Sequence, residues 1–262
     1  MDIVVCVKNV PETAENELTI DETRRRIRTE GLVFGINEWD NYALEEAISL
    51  KERFGGSVIV VTVGSEKTEE MLRMCLAKGA DRAIRLDGEA SINSDAYIVA
   101  KILHRGVKDI PFDLILTGAQ SDDAGYAQVG TILAKLLGII HTTMVKKIET
   151  NGEIAKVNRE LEEGLEEIVE VRLPAVLTIQ TGINEPRYAS ITGIMKARNK
   201  RLDIVSLEDL GLKEEGIEEL ESWIRIEELF MPPLEKKAVF LKGTSDEIVS
   251  KVVEYLKERR LI

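Results

Sequence analysis

The sequence predicts an α/β fold: a doubly wound, mainly parallel sheet with an antiparallel extension and a C-terminal arm. Three observations carry that expectation. Short apolar runs alternate with segments of helical period through the first ~140 residues, the pattern of βαβ units joined by right-handed crossovers. After Gly138 the pattern changes to strand-like runs, and Asn151-Gly152 is a strong hairpin signal between two of them. The stretch from Leu116 to Gly130 reads as strand, polar glycine-containing turn and helix start. Open α/β sheets bind ligands beyond the carboxyl ends of their strands at such junctions.

Taken in order, residues 2–8 hold the unbroken run Ile3-Val-Val-Cys-Val7, as expected of a strand buried on both faces. Residues 9–36, with Pro11 and the basic cluster Arg24-Arg-Arg26, lack periodicity and predict a solvated loop or β-excursion with the arginines as surface charge. Asn37 is an N-cap candidate for a helix running to Phe54, with Asp40 in its first turn and Gly55-Gly56 closing it. Capping and ligand contact are both open readings for Asn37 and Asp40. Residues 57–63 predict a second buried strand, 66–78 a helix ended by Gly79, 83–86 a third strand, 94–106 a helix and 112–117 a fourth strand. Residues 127–137 carry Val129, Ile132, Leu133, Leu136 and Leu137 at helical spacing.

Residues 141–148 and 154–161 are expected to pair antiparallel, with 168–172 beside them, so that 141–172 form an insert. Residues 174–179 then return to the main sheet. A basic helix over 190–198 follows, then an acid-rich stretch at 207–228, Pro232-Pro233 and an amphipathic helix from 245 to 260. The division implied is an α/β nucleotide-binding domain at 1–206 and an arm with its helix at 207–262. Trp223, Leu229 and Phe230 suit packing on a partner subunit, with a packed surface loop as the alternative.

Composition narrows the function classes. A net charge of −12 argues against nucleic acid as a partner, because phosphate backbones need a basic surface. No apolar run reaches the roughly 18 residues of a membrane span. The chain opens on a strand-like run without the basic region of a signal peptide. A cytoplasmic protein without direct membrane insertion is expected, any membrane association coming through a partner. Cys6 and Cys75 are isolated, there is no CxxC pair, and His104 and His141 are the two histidines, so no metal site is expected. Charged residues at 31% and three glutamines suit a heat-adapted source.

The Leu116–Gly130 stretch is the candidate site. Gly118, Asp122, Asp123 and Gly125 are turn formers. The helix start beyond them offers unpaired N–H groups and a positive dipole end, both suited to phosphate. Asp122 and Asp123 would repel phosphate, so bonds to ribose hydroxyls or exposure to solvent are expected of them. Tyr126 could stack on a ligand or cover the helix start. Cys6 reads as a small core residue that also permits close backbone approach.

Further along, Asn184-Glu-Pro-Arg-Tyr-Ala189 with Ile194-Met-Lys-Ala197 strongly resembles the beta subunit of electron transfer flavoprotein. The run from Val157 through Asn-Arg-Glu-Leu-Glu-Glu-Gly-Leu-Glu to Glu167, leading to Leu173-Pro-Ala-Val176, resembles that family too. Val7-Lys8, Ala43-Leu-Glu-Glu-Ala47, Ala80-Asp-Arg82 and Gly118–Gly130 fall in its order and spacing. The resemblance implies an adenine-nucleotide-binding, Rossmann-like fold. It also implies a pocket lined by Cys6, Asn37, Glu38, Trp39, Asp40, Val63, Gln120, Ser121, Asp122, Asp123, Ala124, Gly125, Tyr126, Ala127, Gln128, Val129, Gly130, Thr131 and Ile132.

In one version of the family that pocket holds AMP; in the other it holds a second FAD, and the heterodimer bifurcates electrons from NADH. Ala127-Gln-Val-Gly130 and Asp40 resemble the FAD-binding, FixA-like version, whereas Asp123-Ala-Gly-Tyr126 departs from its usual Asp-Gly-Asp-Thr run. The implied partners are an alpha subunit in a heterodimer, a quinone oxidoreductase and a ferredoxin-like acceptor. Asn184, Glu185, Pro186, Arg187, Tyr188 and Ile191 correspond to the family's partner-docking segment, with a core contact as the alternative for Ile191. No acid, base or nucleophile constellation is required, because a flavin carries its own redox chemistry. Two rivals use a similar scaffold. A nucleotide-sensing module would lack the antiparallel insert and the segment at 184–189. An adenylating enzyme would carry a glycine-rich loop where Val7-Lys-Asn-Val10 stands.

Overall fold

The computed structural model describes residues 1–88, 95–212, 224–233 and 238–262. In chain order the strands and helices are β1 (Ile3–Cys6), β2 (Asn9–Pro11), β3 (Phe34–Ile36), α1 (Glu38–Phe54), β4 (Val58–Gly64), α2 (Glu69–Lys78), β5 (Arg82–Asp87), α3 (Ala96–Val107), β6 (Leu114–Gly118) and α4 (Val129–Leu137). Then follow β7 (Ile140–Thr150), β8 (Ile154–Glu160), β9 (Glu166–Arg172), β10 (Ala175–Ile179), α5 (Ile191–Ala197), β11 (Arg201–Val205) and α6 (Ser245–Glu258).

Among the described residues the main sheet has the order β11-β5-β4-β1-β6-β10-β7-β8-β9. β1 pairs parallel with β4 on one side and β6 on the other. The chain first winds outward through β4 and β5, then crosses back to β6. The strand order therefore reverses between β1 and β6, and open α/β sheets bind ligands in the crevice beyond the carboxyl ends of the strands at such a point. β1 and β10 are buried along their whole lengths, which explains their continuous apolar character. Leu114, Ile115 and Leu116 of β6 are fully buried, each stabilising the sheet by roughly 1.5–3 kcal/mol.

The two faces bury separate clusters. Ile3, Val5, Leu114 and Leu116 pack with α1 and α2 residues such as Leu44, Ile48 and Leu72. Val4, Cys6 and Ile115 point the other way, towards Ile98 and Ile102 of α3 and Leu133 of α4. This is the doubly wound α/β arrangement, with side chains alternating between the two helical layers.

β7 joins the parallel sheet to the extension. Its first half runs parallel to β10, and from Val145 onward it pairs antiparallel with β8. The change of partner falls at Met144, whose φ of 58° marks a bulge. Asn151-Gly152-Glu153 closes the hairpin, with Asn151 Oδ1 accepting the N–H groups of Glu153 and Ile154.

Of the two readings open for residues 9–36 the structure has the β-excursion, a short antiparallel pair of β2 with β3. One element differs from the sequence expectation. β11 has no counterpart in the expectation: Arg201-Leu-Asp-Ile-Val205 pairs parallel with β5 at the sheet edge, held by Arg82 Nε donating to Asp203 Oδ2 at 2.6 Å. Its charged residues suit an edge strand, and they hide the strand between a basic helix and an acid-rich stretch.

Contacts group residues 1–19 and 27–226 in one unit, and 20–26 with 227–262 in a second. Within the second unit Arg24 Nη2 pairs with Glu228 Oε1 at 2.5 Å, and Arg24 O accepts the N–H of Leu229. Helix α6 opens on a capping box at Thr244 and Glu247 and has no buried residue. Trp223 lies outside the described residues.

Candidate nucleotide site

The crevice between β1 and β6 is shaped by the start of α1. Asn37 is fully buried and sits at the N-cap position, yet its side chain does not cap α1. It reaches across instead: Nδ2 donates to Gln120 O at 2.9 Å and Oδ1 accepts the Asp122 N–H at 3.0 Å. Asp40 likewise turns away from its own helix. Its carboxylate accepts the Lys8 N–H and the Gly118 N–H, both at 2.8 Å, tying the ends of β1 and β6 together. The cap of α1 comes from the loop: Asp122 accepts the Glu38 N–H at 3.3 Å and Trp39 Nε1 at 3.2 Å.

Gly118 is required by this packing, because a Cβ there would lie 2.5 Å from Asp40 Oδ1 and 2.6 Å from Trp39 Cβ. Beyond it, Gly125 and Ala127 turn the loop through the left-handed region, at φ 63° and 53°. Ala124, Ala127 and Gln128 are exposed and Tyr126 is half-buried. Helix α4 then begins without a side-chain cap from Gln128, while Thr131 Oγ1 donates to Gln128 O. Its first N–H groups have no partner within the helix. Gly130 is buried against Thr117 and Thr178, and a Cβ there would meet Thr117 Oγ1 and Thr178 Cγ2 at 2.7 Å. The absent side chain is what lets the helix start approach β6 and β10. Cys6 belongs to the apolar cluster on this face, with Val63, Val129 and Ile132 packed against it.

The donor set suits an anionic nucleotide: an uncapped helix start, a glycine without clash and polar loop backbone. Asp123, exposed like Asp122, is matched by a residue that the sequence reading left without a role. Lys8 Nζ lies 2.6 Å from Asp123 Oδ1 and 3.4 Å from Ser121 Oγ. A lysine just past the first strand, facing an acidic loop, is the signal that could have identified it. Thr117 and Thr178 were missed because nothing local links β6 to β10.

Burial raises the Asp40 carboxyl to about 7, against the opposing pull of its two backbone donors. A group whose folded pKa is raised stabilises the fold below its unfolded pKa, and that contribution is lost as pH rises through the folded value. Stability is therefore expected to fall by up to ~4 kcal/mol between about pH 4 and 7, at about 1.4 kcal/mol per unit. Asp40→Asn should remove that slope. Urea midpoints across the window check it, and equal slopes in both proteins would contradict it.

The segment after β10 divides into two roles. Asn184 Nδ2 donates to Tyr42 O and Glu46 Oε2, both at 3.1 Å. Arg187 forks onto Glu45 and Glu52, with Nη1 2.6 Å from Glu52 Oε1 and Nε 2.9 Å from Glu45 Oε2. These bonds, chiefly those to Glu52, hold the guanidinium above its usual pKa. Glu185 is exposed and Pro186 half-buried. By contrast Tyr188 is 97% exposed, Ile191 80% and Met195 65%, so these side chains project while their neighbours anchor the segment to α1.

The fold is that of a doubly wound α/β protein whose strand order reverses between β1 and β6, the place where open sheets of this class bind ligands. A family model, the electron transfer flavoprotein domain, matches residues 26–210. The chain is 37% identical to the electron transfer flavoprotein subunit beta of Methylophilus methylotrophus, covering 98% of each chain. It is 37% identical over the full length of both chains to subunit CarD of the caffeyl-CoA reductase–Etf complex of Acetobacterium woodii. Protein FixA of Azotobacter vinelandii is 36% identical over 78% of this chain and 74% of its own. The chain belongs to the electron transfer flavoprotein beta-subunit family, to which FixA is related, and is a subunit of an electron transfer flavoprotein. Membership implies flavin- or AMP-related cofactor binding in the complex. Among the described residues no helix is long and apolar enough to cross a membrane.

Proposed function

We propose that this chain is the beta subunit of a heterodimeric electron transfer flavoprotein and that its crevice between β1 and β6 takes FAD. Electrons enter from NADH and divide between a quinone-linked partner and a low-potential ferredoxin- or flavodoxin-type acceptor. The observation that carries the reading is the uncapped start of α4, brought against β6 and β10 by Gly130 and facing a loop clamped by Asn37 and Asp40. Bound FAD supplies the electron-carrying chemistry. The chain's own work is positional: the amides around Gly130 hold phosphate, and Asn37 and Asp40 keep the loop in register with β1. The CarD relative bears the name of a reductase–Etf complex, which supports a setting with further subunits.

A second reading, a non-bifurcating carrier with structural AMP, is favoured by Gly125 and Tyr126 standing in the loop where the FAD-binding pattern has an acidic residue and a threonine. In both readings residues 1–206 form the nucleotide-binding domain, residues 207–262 form an arm on the alpha subunit, and Tyr188 with Ile191 docks redox partners. Cofactor content of the protein purified with its alpha subunit tests the proposal. Two FAD per heterodimer is the expected result; one FAD with one AMP selects the second reading. A preparation with neither flavin nor alpha subunit would sink both.

A further inference from the structure

The crevice has an electrostatic problem. Asp122 and Asp123 stand in the loop, and from Gly118 to Ala134 the sequence contains no lysine or arginine. Asp122 spends its charge on the start of α1, through the Glu38 N–H and Trp39 Nε1. Asp123 faces Lys8, 2.6 Å away. The backbone of Lys8 is held on both sides: its N–H donates to Asp40 at 2.8 Å, and its carbonyl accepts the Asn37 N–H at 2.9 Å. The side chain thus springs from a fixed point beside the switch point of the sheet. The pair stays open to water, with side chains 44% and 32% exposed. Such a solvated ion pair contributes little to stability, so an incoming phosphate can replace the carboxylate readily.

We propose that Lys8 reads the phosphate of the bound nucleotide, and that Asp123 is its internal stand-in. When a nucleotide enters, Lys8 Nζ leaves Asp123 Oδ1 for a phosphate oxygen, and the freed carboxylate turns to solvent. The exchange is ionic, with no covalent step. It rests on the nucleotide-site reading above and adds the side chain that selects phosphorylated ligands over bare nucleosides.

The test is calorimetric titration of the full chain, freed of copurifying nucleotide, with AMP and with adenosine. Lys8→Met should weaken AMP binding about ten-fold, the scale of one charge-assisted hydrogen bond, and leave adenosine within about two-fold. Lys8→Arg should retain AMP binding. Asp123→Asn should tighten AMP binding several-fold when Lys8 is present, and give no gain in the Lys8→Met background. Unchanged AMP affinity in Lys8→Met, or adenosine weakened in parallel with AMP, overturns the proposal and leaves the site reading standing. A gain from Asp123→Asn that persists without Lys8 overturns the stand-in role. A wild-type chain that binds neither AMP, FAD nor adenosine overturns the site reading and this inference with it.

Discussion

Gly130→Leu is expected to abolish nucleotide retention. A Cβ alone at this position would sit 2.7 Å from Thr117 Oγ1 and Thr178 Cγ2, closer than van der Waals contact permits. Both threonines are buried on central strands, β6 and β10, so they have little room to retreat. The start of α4 must move outward, carrying with it the N–H groups that face the crevice. A displacement of about 1 Å is enough to break hydrogen bonds of ordinary length. Overpacking itself should destabilise the chain by about 1–3 kcal/mol. For a protein of this size that lowers Tm by roughly 2–10 °C, so the variant should fold. Cofactor absorbance after gel filtration reads the outcome, with Gly130→Ala as the milder case. Full retention in both variants would place the ligand elsewhere.

The double substitution Val249→Asp and Val253→Asp should prevent assembly with the alpha subunit. Val249, Val252, Val253 and Leu256 recur at helical spacing along α6, and no residue of that helix is buried in the chain itself. An amphipathic helix of this kind gains its stability from a surface that covers the apolar stripe. Burying two unpaired carboxylates in that contact costs several kcal/mol, a loss of at least ~100-fold in affinity. The isolated chain should be unaffected, because among the described residues both side chains are exposed. Co-purification and far-ultraviolet circular dichroism separate the two effects, with Glu254→Lys on the opposite side of the helix as control. Assembly of the double variant at wild-type strength would show that α6 is not the contact.

Much of the fold was legible because parallel strands buried on both faces leave apolar runs that no other element resembles, as β1, β4 and β10 show. The hairpin was legible because Asn151-Gly152 is a local turn signal. β11 was not: five residues with two charges become a strand only by pairing with β5, Arg201 opposite Arg82 and Val205 opposite Leu86, far earlier in the chain. The point where β7 changes partner at Met144 was equally hidden, since a bulge answers to the register of its neighbours.

The candidate site divides in the same way. Sequence determined that a strand, a glycine-containing loop and a helix start meet at Leu116–Gly130, because turn residues and helical period are local properties of the chain. Sequence also placed the chain in its family. Only the tertiary structure decided what Asn37, Asp40, Asp122, Asp123 and Arg187 do. Each of them bonds to a residue dozens of positions or more away: Asn37 and Asp40 turn away from the helix they open, while Asp122 and Asp123, exposed as local chemistry suggested, also reach partners across the fold. Asp40 joins β1 to β6, Asp122 caps a helix from another part of the chain, and Arg187 anchors the segment whose neighbours project. The physical reason is that a buried polar group must find a partner, and the fold, not the neighbouring sequence, determines which partners lie within reach.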